Sequence, residues 1–259
     1  MKIPYFHIDA FTDTPFAGNP AGVCPLESWL PDTVLQKIAA ENNLSETAFF
    51  VQKKNHFDLR WFTPAIEIDL CGHATLASGY VLAHYLGFTG PVMRFETKSG
   101  TLLVERQNDI LTLDFPGRPG SITEVPAALT RGLGSQPDEV YLARDYLAVF
   151  PSQSDVLAIQ PDQEQLMQLD CLGIIVTAPG KDVDFVSRFF APRAGIPEDP
   201  VTGSSHCTLI PYWAQRLGKT TLTARQLSAR GGQLFCSLAG DRVKIGGHAV
   251  TYMRGELEV

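Results

Sequence analysis

Residues 60–87, RWFTPAIEIDLCGHATLASGYVLAHYLG, decide the fold, because 188–218, RFFAPRAGIPEDPVTGSSHCTLIPYWAQRLG, repeats their pattern. Each copy opens Arg-aromatic-Phe-x-Pro, at Arg60 to Pro64 and at Arg188 to Pro192. Each then carries an acid three or four residues before a glycine, Asp69 before Gly72 and Asp199 before Gly203. Each ends Leu-Gly, with a spacing of 15 from Gly72 to Gly87 and of 15 from Gly203 to Gly218. Downstream, FETKSGTLLVERQNDILTL (95–113) is echoed by LSARGGQLFCSLAGDRVKI (227–245), where apolar and polar residues alternate across Asn108-Asp109 and Gly240-Asp241. That is the pattern of a hairpin. Three coincident features in one order predict two homologous halves.

The elements follow from spacing. In 73–86, Leu76, Tyr80, Ala83 and Leu86 recur at helical intervals, and Gly87 stands where a C-terminal glycine belongs. A second helix over 204–217 is apolar on most sides, so it needs to be surrounded; strands wrapped round a central helix would do that. Pro211 falls inside it and should strain it. PDTVLQKIAAE (31–41) reads as an amphipathic helix, and FHIDAFTD, AGVCPL, SETAFFV (45–51) and DLRWF (58–62) read as strands. DFPGRPGSITEVPAAL (114–129), rich in Pro and Gly, reads as the linker. The expected architecture is α+β: two pseudo-symmetric halves, each a curled, mostly antiparallel, barrel-like sheet around a central helix. The halves are placed at 1–116 and 117–250, with 251–259 a candidate to rejoin the first.

Composition narrows the function. The 259 residues are 44% hydrophobic and 19% charged with a formal net charge of -7, and no Lys/Arg cluster offers nucleic acid an electrostatic footprint. No segment approaches the ~18 apolar residues of a membrane span. Five dispersed cysteines without a CxxC, and an N-terminus that meets acid by Asp9, lead us to expect a reduced, cytoplasmic protein.

A helix N-terminus carries partial positive charge and N–H groups without partners in the helix. The turns at Gly72-His73 and Gly203-Ser204 therefore read as anion or oxyanion sites, expected to face one cleft between the halves and to be lined by His73, Asp199 and Ser204. Each residue also has a plainer reading. Asp69, Asp199 and Ser204 could simply cap helices, and His73 could face solvent. Glu46 begins a strand of apolar residues, where desolvation would let a carboxyl group change protonation state; its plainer reading is a strand-end glutamate in water.

DAFTDTPFAGNPAGV, LSETAFF, RWFTPAIEIDLCGHAT and EDPVTGSSH together resemble the phenazine-biosynthesis isomerase-like (PhzF-like) family, in the family's order and along nearly the whole chain. The resemblance implies the diaminopimelate epimerase-like fold and a cofactor-free isomerase that acts on a small-molecule substrate, with a homodimer common among relatives. It implies catalytic roles for Glu46 as proton carrier and for His73 and Asp199 in orienting substrate. Gly18, Asn19, Ser45, Gly72, Gly203 and Ser204 become candidate substrate-binding residues. Epimerases of this fold use two cysteines, each directly before a glycine turn. Here Cys71 fills the first place and Thr202 the second, so two-cysteine racemisation is disfavoured and Cys71 reads as structural. No cofactor or metal is expected: a ligand set of Cys71, His73, His206 and Cys207 lacks a recognised spacing. GKTT (218–221) lacks the P-loop's first glycine, and GSSHC is not G-x-S-x-G. The rival from another class is a non-catalytic descendant that binds a small carboxylate or a protein.

Overall fold

Strand β1 (Lys2–Ala10) is followed by β2 (Asn19–Leu26), α1 (Asp32–Asn42), β3 (Glu46–Gln52), β4 (Phe57–Phe62), β5 (Glu67–Ile68), α2 (Gly72–Tyr85), β6 (Val92–Thr97), β7 (Gly100–Gln107) and β8 (Ile110–Pro116). The second series runs β9 (Ser121–Ile122), α3 (Ala127–Leu133), β10 (Glu139–Leu142), β11 (Tyr146–Val149), α4 (Gln153–Ala158), α5 (Gln163–Leu166), β12 (Ile174–Pro179), β13 (Phe185–Phe190), α6 (Gly203–Leu217), β14 (Thr221–Gln226), β15 (Gly232–Ala239) and β16 (Arg242–Gly247). The last strand is β17 (Ala249–Glu258). This computed structural model describes residues 1–259. They fall into two units, Met1–Asp114 with Gly246–Val259, and Phe115–Ile245.

In the first unit β1 and β2 pair antiparallel, β2 and β3 parallel, β3 and β4 antiparallel, β4 and β6 parallel, and β6 and β7 antiparallel. In the second unit the same sequence of joints recurs: β10 with β11 antiparallel, β11 with β12 parallel, β12 with β13 antiparallel, β13 with β14 parallel, and β14 with β15 antiparallel. The parallel joints need crossover connections, which the helices supply. β3 reads ETAFFVQ and its first six residues are all buried, as expected of a strand covered on both faces. One cover is α1, whose Leu35, Ile38 and Ala39 pack with Tyr5, Phe49 and Phe62. Another is α2, nine of whose residues are buried, from His73 to Leu82; a Cβ on its Gly79 would stand 3.1 Å from Val104 and 3.2 Å from Met93. In the second unit, α3, α4 and α5 supply Leu129, Val156 and Leu166 to one cluster with Val176 and Phe190. On α6, Trp213 stacks on Phe185 and donates to the Thr177 hydroxyl at 2.9 Å.

Three expectations change. Residues 114–129 are not a bare linker: they finish β8, contribute β9 and begin α3 behind Pro126, whose φ of -64° suits a helix entrance. The chain passes between units at 114/115 and 245/246 rather than 116/117 and 250/251, because β17 begins at Ala249 and pairs along β1 from Ala10↔Ala249 to Lys2↔Glu258. Pro211 lies well inside α6, yet the helix continues to Leu217. Proline removes the N–H that would have met the Cys207 carbonyl, and the Arg118 N–H fills that place at 2.8 Å.

Candidate functional site

The repeated Arg-x-Phe is a structural device. Side chains two apart on a strand share a face, so Arg60 lies over Phe62 and Arg188 over Phe190, at 5.1 and 5.0 Å from the ring centroids. Each guanidinium then forks an acid ahead of the following helix. Arg60 donates to Glu67 at 2.7 and 2.9 Å, and Arg188 to Glu198 at 2.8 and 2.9 Å. Glu67 and Glu198 each stand five residues before the helix-opening glycine. They are the equivalent acids; Asp69 and Asp199 are not. Asp69 is exposed, and the N-cap residues of α2 and α6, Cys71 and Thr202, make no side-chain cap.

In the first unit the fork holds the approach to α2, which places His73 in the opening turn. Parallel pairing of Ala21 with Glu46 sets the start of β3 beside it. Glu46 and His73 are buried, 8% and 6% exposed, with Oε2 of Glu46 3.2 Å from Nε2 of His73. The solvated readings of both therefore fail. Burial draws the His73 pKa down to about 4, although the Pro20 carbonyl, hydrogen-bonded to the ring, opposes this. Burial thus favours the neutral form of the ring. Cys71 Sγ lies 3.5 Å from Nδ1. Glu46, Cys71 and His73 each bring one ligand-type atom within 4.8 Å of the others, the donor set best able to hold a metal. Asn19, wholly buried, and Pro20 lead into the same register. Gly18 is required where it stands: its φ is +66° and a Cβ would lie 2.2 Å from the Ala10 carbonyl. Ser45, half-buried, immediately precedes Glu46.

In the second unit Asp199 accepts from the Thr202 hydroxyl. Buried Gln226, at the end of β14, clamps this turn: its Oε1 accepts from the Thr202 N–H at 2.9 Å, and its Nε2 donates to the Asp199 carbonyl at 2.8 Å and to Thr202 Oγ1 at 3.1 Å. Ser204 Oγ accepts from Arg144 at 3.0 Å, and Arg144 is held in turn by buried Asp145. His206 donates to the Thr202 carbonyl at 2.8 Å, and burial lowers its pKa to about 4.

The family model described as phenazine biosynthesis-like protein matches residues 8–255. The chain belongs to that family. Among its relatives is an uncharacterized isomerase of Pseudomonas aeruginosa, 51% identical with all of both chains covered. The human phenazine biosynthesis-like domain-containing protein is 41% identical over 99% of each chain. A PhzF-family crystal structure from Enterococcus faecalis superposes with a TM-score of 0.99 at 47% identity, covering both chains completely. A hydroxyproline epimerase from Agrobacterium vitis, at 12% identity and a TM-score of 0.62, shares the fold alone. The protein is thus an isomerase-type member of the phenazine biosynthesis-like family on an epimerase-like α+β fold.

Sequence reasoning missed Gln226, Arg144 and the Pro20 carbonyl. Arg144 and Gln226 lie outside every repeated motif, and a backbone carbonyl carries no residue signature. The equal five-residue spacing of Glu67 and Glu198 from their glycines was the available signal for the forks.

Proposed function

We propose that the protein is a cofactor-independent isomerase that moves a proton on a small, carboxylated, unsaturated or cyclic substrate, with Glu46 as general acid and base. The contact that supports this is the buried Glu46–His73 pair at 3.2 Å. A carboxyl group screened from water beside a neutral imidazole can exchange a proton with carbon without first shedding a hydration shell. His73 orients the substrate and holds the carboxyl group in place. The N–H groups of the α2 opening, at Gly72 and His73, receive negative charge as it develops. Gly18, Asn19 and Ser45 are the candidate substrate-binding residues beside this pair in the first unit. In the second unit, Gly203, Ser204 and Asp199 are the candidate substrate contacts, Asp199 suited to grip an amino or hydroxyl group with its orientation fixed through Thr202 and Gln226.

The experiment is deuterium incorporation from D₂O into small cyclic amino acids and dienoic acids, followed by NMR. Glu46→Gln should lower exchange by at least about 100-fold, the scale of general acid–base catalysis, while the variant still binds. Binding without exchange in the native protein would leave a recognition module in its place. Retained turnover in Glu46→Gln combined with loss in Cys71→Ser would transfer the chemistry to the thiol.

A further inference from the structure

We infer that Glu46, Cys71 and His73 form a binding site for a thiophilic divalent cation of zinc's type, and that its occupancy switches off the Glu46 proton relay. Three donors of different kinds, carboxylate, thiolate and imidazole, converge within one unit with their ligand atoms no more than 4.8 Å apart. Zinc bonds of about 2.0–2.3 Å place tetrahedral ligands roughly 3.3–3.8 Å from one another, so the trio closes on an ion by side-chain rotation of about 1 Å or less. One spacing already lies near that range, His73 Nε2 to Glu46 Oε2 at 3.2 Å. Nε2 is the ligand nitrogen, since the ring's other nitrogen holds the Pro20 carbonyl, and the Cys71 thiol rotates from beside Nδ1 towards the ion.

Charge favours the same ion. A dication with one thiolate, one carboxylate and a neutral imidazole is an electrically neutral group, the condition for burying an ion where its ligands are only 6–8% exposed. Sulfur selects zinc or cobalt over magnesium or calcium, which prefer all-oxygen sites. Three protein ligands leave a fourth position for water or a substrate oxygen. Binding expels the thiol proton to solvent, and the ion takes the electron pair by which Glu46 would accept a proton from carbon. The site stands on geometry alone; its inhibitory effect rests on the role proposed for Glu46.

Cobalt(II) is the probe, because a thiolate ligand gives it a charge-transfer band that needs no turnover. Titration of the full-length protein with Co²⁺ should produce that band at one ion per chain, and Zn²⁺ should abolish it by displacement. Cys71→Ser should remove the band and weaken zinc binding by at least about 100-fold, since losing even an outer partner of a ligand costs about 10–100-fold. Glu46→Gln should keep the band and weaken binding; it also serves as the folded control should Cys71→Ser prove unstable. A band that survives in Cys71→Ser, or that disappears only in Cys207→Ser, would overturn the site. Zinc that binds here yet leaves deuterium exchange unchanged would retain the site and remove its inhibitory role.

Discussion

Two glutamates and two histidines show how environment sets the behaviour of a residue type. Glu67, forked by Arg60 and touched by Lys98, is held near a pKa of about 2 despite partial burial. Glu46 instead lies buried against the imidazole of His73 at 3.2 Å. His73 and His206, both deeply buried, have pKa values of about 4 against an ordinary 6.5. A folded-state pKa below the unfolded value means that the unfolded chain binds the extra proton first. Stability should therefore be intact above pH 6.5 and fall as pH drops from 6.5 towards 4, by about 1.4 kcal/mol per pH unit for each histidine. Urea titrations at pH 7, 6 and 5 read this slope. His206→Gln should flatten it by one histidine's share, and an unchanged slope would mean that His206 is already protonated when folded.

At the scale of elements, α6 carries a proline that its sequence alone makes look damaging. An interior proline costs about 3 kcal/mol relative to alanine, but part of that cost is an orphaned carbonyl, and here the Arg118 N–H occupies Cys207. Pro211→Ala should accordingly change stability by less than about 1 kcal/mol in chemical denaturation. A gain approaching the full penalty would show that the Arg118 contact contributes nothing. The helix starts tell a related story. Each is preceded by an Arg–Glu fork, so the entry to α2 and to α6 is fixed by side chains from β4 and β13 rather than by a cap on the helix itself. The repeat was legible because it recurs as letters. The pairing of Asp69 with Asp199 was misleading because proximity to glycine in sequence says nothing about which carboxylate an arginine on the neighbouring strand can reach.

For the whole molecule, the closing strand is the test. β17 lies along the entire length of β1, and the Tyr85 hydroxyl meets Thr251 at 2.8 Å. Truncation after His248 leaves β1 with an open edge and should abolish hydrogen-exchange protection in β1, while β12 and β13, whose partners lie wholly within the second unit, keep theirs. Equal loss in both would mean that the units fold as one. The sequence by itself determined the α+β class, the duplicated organisation, the central helices and the motifs that mark the family, since periodicity, turn residues and repetition are local properties written in order along the chain. The tertiary structure alone decided that Glu46 lies against His73 and Cys71, that Gln226 clamps Asp199 through Thr202, and that the true acid counterparts are Glu67 and Glu198. Those facts depend on strand register and burial, and a contact between residues far apart in the chain leaves no trace in the spacing of either one.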